Sequence, residues 1–331
     1  MVLHFLLIAV GFLLLIKGAD FLVNGASSLA KRFNVSDIAI GLTVVAMGTS
    51  APELVVNLIS GAKGANDVVF GNIIGSNIFN MFLILGISAV IYPITVQKNA
   101  LWKEIPYSLL ATVVLFLLVN DMMLFDAESN SASTIDGVIL LVMFLVFLGY
   151  VFNNMTRSGD GDDVVTEELE EIEVYSNVKT TLMVLSGIVG LGFGGNLIVE
   201  HAIEIAKIFG VSEKLIGLTI LAAGTSLPEL ATTAVAAFHK KSDLAIGNII
   251  GSNIFNILLV LGATAVVHGP LDFDAMLNMD LYMVMLGTIM LFIFMFTLNS
   301  FKLDRSEGGL YLVGFVAYMV FLFYREGIIT F

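Results

Sequence analysis

GNIIGSNIFN stands at residues 71–80 and recurs, letter for letter, at 247–256. Ahead of each copy, at the same distance, lies a second motif, GTSAPEL at 48–54 and GTSLPEL at 224–230. Glu53 and Glu229, Gly71 and Gly247, and Asn80 and Asn256 are each 176 residues apart. At that offset positions 41–90 match 217–266 at 26 of 50 positions without a gap. Shared apolar composition does not hold Pro, Glu, Asn and Gly in register, so the chain reads as two homologous halves.

The 331 residues are 58% hydrophobic and 13% charged, with a mean hydropathy of +0.96. A soluble domain sits near half apolar and about a quarter charged, so this composition belongs to a polytopic membrane protein. There is no cysteine, which excludes disulfides and thiolate metal sites. The four histidines form no HExxH pattern. The net charge of −13 is largely local: residues 160–173 hold eight acids and no base. That run reads as a solvated loop or a regulatory cation site, and it lacks the order of an EF-hand loop. No basic patch points to nucleic acid, and no obligate protein partner is evident; the lipid bilayer is the surrounding medium.

Apolar segments fall near 3–24, 38–60, 68–92, 106–120, 134–152, 178–198, 214–238, 242–268, 279–297 and 309–324. The fold class expected is therefore an all-α polytopic membrane protein of ten transmembrane helices, most near the ~20 residues a bilayer requires. The first segment has no basic n-region and Lys17 follows its apolar stretch, so it reads as a mature span. Residues 1–152 form the first repeat with its motif region at 41–90, 153–177 an acidic linker, and 178–331 the second repeat with its motif region at 217–266. Five spans per half is odd, so the second half enters from the opposite side, giving two inverted-topology repeats with broken helices at the midplane.

Lys and Arg set the orientation. With the N-terminus outside, the inner loops carry Lys31, Arg32, Lys98, Lys103, Arg157, Lys179, Lys240, Lys241, Lys302 and Arg305. The outer side has Lys63, Lys207, Lys214 and Arg325. Ten against four favours both termini outside and the 153–177 loop in the cytoplasm.

Gly48 and Pro52 interrupt an apolar run that otherwise reads as one helix, and proline breaks it. Broken backbone at mid-membrane is tolerated where it lines a cavity, so the carbonyls of Ala46 and Thr49, and of Ala222 in the second half, become candidate oxygen ligands. Ser50 with Glu53 three residues on also fits a capping box that restarts the helix. Yet an intramembrane carboxylate costs at least ~2.5–3.5 kcal/mol and is read first as function. Glu229 is the same object in the other half. Two close carboxylates repel unless a proton or cation lies between them. Carboxylates, hydroxyls, amides and carbonyls are hard donors that suit Ca²⁺ or Na⁺.

Asn72, Ser76 and Asn80 lie along one helix face. Gly71-x-x-x-Gly75 with interhelical amide bonds is also a packing motif. The repetition of Ser76 as Ser252 and of Asn80 as Asn256 favours ligands, with Asn77 and Asn253 orienting the helices. Lys17, Asp20, Glu200, His201 and Glu204 read as span-end residues. No Walker A or GxSxG motif appears, nor a GxGxxG in βαβ context, so there is no sign of ATP drive or enzymatic catalysis and no cofactor is expected.

GTSxPE paired with GSNxxN resembles the alpha repeats of the sodium/calcium exchanger family, prokaryotic type, within the cation/calcium exchanger superfamily. The likeness covers the whole ten-span plan. It implies Glu53 and Glu229 as central ligands, with Thr49, Ser50, Thr225 and Ser226, and with Ser76, Asn80, Ser252 and Asn256 completing the set. It also implies that spans 3–24 and 178–198 move across the others. Many members have Asp where this chain has Asn256, and potassium-dependent members use that Asp for K⁺, so Asn at both 80 and 256 implies potassium independence. The expectation is a Na⁺/Ca²⁺ antiporter of a prokaryotic inner membrane, electrogenic, with Ca²⁺/H⁺ exchange through the same glutamates as the alternative, and a passive channel or a non-transporting scaffold as rivals.

Overall fold

The computed structural model describes residues 1–33, 35–125, 128–155, 174–209, 222–325 and 327. A bilayer core offers backbone groups no partner, so long apolar runs close their hydrogen bonds within helices. In chain order these are α1 (Val2–Phe33), α2 (Asp37–Thr49), α3 (Ala51–Ala62), α4 (Asn66–Ile91), α5 (Ala100–Val119), α6 (Thr134–Met155), α7 (Asn177–Ile208), α8 (Ala222–Thr225), α9 (Leu227–Phe238), α10 (Ser242–His268), α11 (Ala275–Phe294) and α12 (Arg305–Arg325). Among the described residues eight helices are long and apolar enough to cross a membrane, and α2 with α3 makes a ninth span bent by 46°. The expected 214–238 span lies partly in 210–221, outside the described residues, and its later part is α8 and α9. The acidic run 160–173 also lies outside them.

Two spans exceed their expected limits most, by nine and ten residues at their C-terminal ends. α1 reaches Phe33 and α7 reaches Ile208, because polar residues such as Asp20, Asn24, Asn196 and Glu200 continue the helix instead of ending it. Asp20 lies within the long helix α1. It accepts a hydrogen bond from Asn24 Nδ2 at 3.2 Å and pairs with His239 Nε2 at 3.0 Å, just past the end of α9. Asn24 in turn accepts from Lys241 Nζ at 3.1 Å. These contacts tie the middle of α1 to the α9–α10 turn.

α1 and α7 run antiparallel, and glycine sets their separation. A Cβ on Gly18 would meet Leu191 N at 2.9 Å and Gly187 O at 3.0 Å; one on Gly194 would meet Gly11 O at 2.7 Å. Gly11 and Gly18 are the 176-residue counterparts of Gly187 and Gly194, so the contact is its own image. Without a hydrophobic force between helices in lipid, such small residues hold them by close packing. Ser28 and Thr180 hydroxyls meet at 3.1 Å near one end of the pair, and His4 and His201 ring nitrogens at 3.1 Å near the other. The large apolar side chains Leu13, Ile16, Val189 and Phe193 face outward, as a lipid-contacting surface requires.

α4 and α10 form the centre. In their most apolar stretches 72% and 83% of residues are buried, against 22% for α1. Each contains a π-helical stretch that begins at the last two residues of the identical motif, Phe79–Ile84 and Phe255–Leu261. The close approach expected of the motif's glycines is present at Gly247 and Gly251, where an added Cβ would meet Ile38 O and the Ala46 Cβ, both at 2.7 Å. The segment related to that partner by the repeat is 210–221, outside the described residues.

The fold is helical except for four two-residue strands among the described residues: β1 (Ile94–Thr95), β2 (Ser131–Ala132), β3 (Leu271–Asp272) and β4 (Lys302–Leu303). β1 pairs with β4 and β2 with β3, both antiparallel. Each pair joins the loop after one half's third span to a loop flanking the other half's last span.

Candidate cation site

Pro52 has no N–H to offer the Gly48 carbonyl, so the ladder of α2 cannot pass into α3. The break falls at Ser50, with φ −83° and ψ 5°. Ser226 repeats it with φ −90° and ψ 6°. Neither serine side chain caps its following helix. The capping box is thus absent, because the Ser50 hydroxyl is used elsewhere: Oγ donates to Glu229 Oε1 of the other half at 3.1 Å. The Ala46 carbonyl is likewise engaged, accepting from Ser50 N at 2.9 Å and from Thr49 Oγ1 at 3.3 Å. Both of its lone pairs are thus taken, and it is open to a ligand only where Thr49 gives its proton to Asn248 Oδ1 instead. Ala222 opens α8 beside the undescribed 210–221 segment.

Glu53 and Glu229 sit in the first turns of α3 and α9, 0% and 1% exposed. Each reaches towards the opposite half's motif. Glu53 stands near Thr225 and Ser226 and close enough to Glu229 to feel its charge; Glu229 stands against Ser50 and Thr49. Among the described residues, no Lys or Arg acts on either. Among the described residues, Glu53 Oε1 and Oε2, Glu229 Oε2, Ser76 Oγ, Ser252 Oγ, Ser226 Oγ, Asn80 Oδ1 and Asn256 Oδ1 are buried without a hydrogen bond of normal geometry. Buried polar groups are ordinarily paired, and leaving one unpaired costs about 1–3 kcal/mol. These eight oxygens come from helix segments of both halves, and each is a hard donor of the type a cation such as Ca²⁺ or Na⁺ takes.

The amide protons are turned away from this set. Asn80 Nδ2 donates to Asn253 Oδ1 at 3.0 Å, and Asn256 Nδ2 donates to Asn77 Oδ1 at 3.1 Å. Both orientations leave the Oδ1 atoms of Asn80 and Asn256 free. Asn77 Nδ2 also donates to the Asn253 carbonyl at 3.3 Å, so the two identical motifs clasp each other. The orienting role expected of Asn77 and Asn253 is carried by these bonds.

Two residues, Asn57 and Thr233, escape a reading of the motifs. Thr49 Oγ1 donates to Asn248 Oδ1 at 3.2 Å, and Thr225 Oγ1 to Asn72 Oδ1 at 3.1 Å. Asn72 Nδ2 donates to Asn57 Oδ1 at 2.8 Å, and Asn248 Nδ2 to Thr233 Oγ1 at 2.9 Å. Asn57 and Thr233 are themselves 176 residues apart but differ in type, so a search for identical positions passes over them. Their signal was polarity on the buried face of an apolar half-helix, one turn beyond each Glu.

Among the described residues no group of three or more His, Cys, Asp or Glu is placed to hold a metal, so neutral oxygens must complete any shell around the two carboxylates. The arrangement defines a class: a polytopic membrane protein with an oxygen-lined carboxylate site shared between two repeated halves.

The comparisons place it more narrowly. The family model described as sodium/calcium exchanger protein matches residues 3–153 and 179–324. The chain is 34% identical over 325 residues to inner membrane protein YrbG of Escherichia coli, covering 98% of each. It is 31% identical to sodium/calcium exchanger MaX1 of Methanosarcina acetivorans, covering 97% of this chain and 99% of that one. A solved structure of the sodium-calcium exchanger NCX_Mj soaked with Na⁺ and Sr²⁺ superposes with a TM-score of 0.81 at 32% identity, over 96% of this chain and 98% of that one. The chain belongs to the sodium/calcium exchanger family, as an integral membrane protein with prokaryotic homologues.

Proposed function

We propose that this protein is a secondary antiporter that exchanges Na⁺ for Ca²⁺ across a prokaryotic inner membrane by alternating access. The observation that carries the reading is the pair of buried carboxylates, Glu53 and Glu229, each set against the other half's motif, with further buried unpaired oxygens in both halves. Two carboxylates balance one Ca²⁺ or two Na⁺, so the ions compete for one site. A further Na⁺ leaves excess positive charge and makes exchange electrogenic. The proposed ligands are Glu53, Glu229, Thr49, Ser50, Thr225, Ser226, Ser76, Asn80, Ser252 and Asn256, with the carbonyls of Ala46 and Ala222. Asn at both 80 and 256 supports potassium independence.

The architecture proposed with it is ten spans in two inverted repeats, 1–152 and 178–331, joined by the 153–177 linker. The antiparallel α1 and α7, the self-matching strand pairs and the hydrogen bonds repeated at the 176-residue offset all support inversion. Both termini face outside and the linker faces the cytoplasm.

Proteoliposomes loaded with Na⁺ and diluted into Na⁺-free buffer should take up Ca²⁺ with the pH gradient collapsed, and added K⁺ should not change the rate. Uptake that needs a pH gradient and ignores Na⁺ would establish Ca²⁺/H⁺ exchange instead. Flux without a counter-ion would establish a channel.

A further inference from the structure

His4 and His201 are 197 residues apart in sequence, yet their Nδ1 atoms stand 3.1 Å from each other. His4 lies in the first turn of α1 and His201 two turns before the end of α7, so each helix of the antiparallel pair supplies one imidazole. The rings meet edge to face, with centroids 5.1 Å apart and planes at 63°. Two ring nitrogens this close need a proton between them, one ring donating and the other accepting, or a cation in the proton's place.

The spacing fits a cation. Zinc binds imidazole nitrogen at about 2.0–2.1 Å, so two ligands of one ion lie about 2.9 Å apart at a right angle and about 3.3 Å apart at the tetrahedral angle. The observed 3.1 Å falls between these values. No backbone has to move: a shift of the donating ring from Nδ1–H to Nε2–H frees both lone pairs, and no net proton is released. Among the described residues no third His, Cys, Asp or Glu joins the pair; Glu204, three residues beyond His201, is held by Lys207 Nζ at 3.4 Å. Both rings are only partly buried, so water fills the remaining positions. Imidazole suits Zn²⁺, Ni²⁺ and Cu²⁺, whereas Ca²⁺ takes oxygen.

We propose that His4 and His201 form a second cation site, which takes a late divalent transition metal such as Zn²⁺ and bridges α1 to α7. It differs from the set around Glu53 and Glu229 in its residues and its ligand chemistry, and it stands whether or not that set binds Ca²⁺. Structural zinc sites are closed by four protein ligands. A site with two imidazoles and water exchanges its metal, so the ion is a reversible clamp on the helix pair. The two ligands come from different helices, which is why no local metal-binding spacing marks them in the sequence.

The test uses the full chain in detergent, purified without a histidine tag and titrated with Zn²⁺ alone, followed by calorimetry and by melting temperature. One Zn²⁺ per chain is expected, with a rise in melting temperature. His4→Ala and His201→Ala should each weaken binding at least about tenfold, since even outer partners of a bound metal contribute that much. The double variant should lie within about twofold of the weaker single one, because an imidazole left alone no longer chelates and the two losses are coupled. Glu53→Gln, and Ca²⁺ in excess over Zn²⁺, should each leave Zn²⁺ affinity within about twofold, as expected of independent sites. With Cu²⁺ in place of Zn²⁺, electron paramagnetic resonance should show two coordinating nitrogens in the parent and fewer in either single variant. Zn²⁺ affinity unchanged by either histidine substitution, or lost in Glu53→Gln, or no Zn²⁺ bound by the parent protein would overturn the proposal and leave the contact a shared proton only. If an alanine variant does not yield folded protein, His4→Gln or His201→Gln carries the same expectations.

Discussion

Ser50 Oγ donates to Glu229 Oε1 at 3.1 Å across the boundary between the two halves. The bond joins the broken point of one half to the carboxylate of the other, so the site exists only when the halves are assembled. A hydrogen bond to a charged group contributes about 1.5–3 kcal/mol. Ser50→Ala should therefore weaken Ca²⁺ binding roughly tenfold or more, read as the Ca²⁺ dependence of Na⁺-driven uptake. An unchanged dependence would mean that Ser50 serves the break alone.

Removing either buried charge separates function from folding. Glu53→Gln and Glu229→Gln should each abolish exchange while leaving the melting temperature in ion-free detergent equal or higher, because an unpaired buried charge is costly. In the parent protein, Ca²⁺ at about 100 times its dissociation constant should add about 2.7 kcal/mol. That increment should be absent in both variants, and thermal melts with and without Ca²⁺ measure it.

Asn256→Asp would replace the donor that Asn77 Oδ1 now accepts from at 3.1 Å. Two acceptor oxygens would then face each other. Stability in ion-free buffer should fall by about 1–3 kcal/mol. Ca²⁺ should recover more of it than in the parent protein, since a third carboxylate adds attraction for the ion. A melting temperature indifferent to the substitution would argue that Asn256 lies outside the site.

The glycine seam between α1 and α7 is the packing feature most sensitive to volume. A Cβ on Gly187 would stand 2.7 Å from Leu22 N and 2.8 Å from Gly18 O, both backbone atoms with no rotamer to move. Gly187→Val should cost about 1–3 kcal/mol or more, seen as a lower melting temperature and loss of a cysteine crosslink engineered across the helix pair.

Lys240 holds φ at 58°, where its repeat counterpart Gly64 holds 68°. Left-handed backbone costs a residue with a Cβ about 1–2 kcal/mol. Lys240→Gly should therefore raise stability by up to about that amount. An unchanged or lower melting temperature would mean that the side chain contributes a contact of comparable size.

Much of this protein is legible before any coordinate is known. Composition places it in a membrane, and the exact 176-residue register of GTSxPE and GNIIGSNIFN divides it into halves and marks both glutamates. These features are local: proline breaks a helix through its own missing N–H, and a bilayer demands apolar length. The direction of a side chain's bond is not local. Ser50 looked like a helix cap, but its hydroxyl turns to Glu229. Ala46 looked like a freed carbonyl but accepts from Ser50 N. Asp20 read as a span-end residue, and its partner, His239 of the other half, is not visible in the sequence.

The repeat that opened the sequence thus determined by itself which residues are duplicated, where each half-helix breaks, and that oxygen donors rather than soft ligands are available. Tertiary structure alone decided how they are used. It crosses each glutamate to the other half's motif, turns the amide protons of Asn80 and Asn256 onto Asn253 and Asn77, and recruits Asn57 where the second half has Thr233. The physical reason is that a hydrogen bond's direction depends on which groups packing brings within about 3 Å, and residues 176 positions apart meet only when the two halves close on each other.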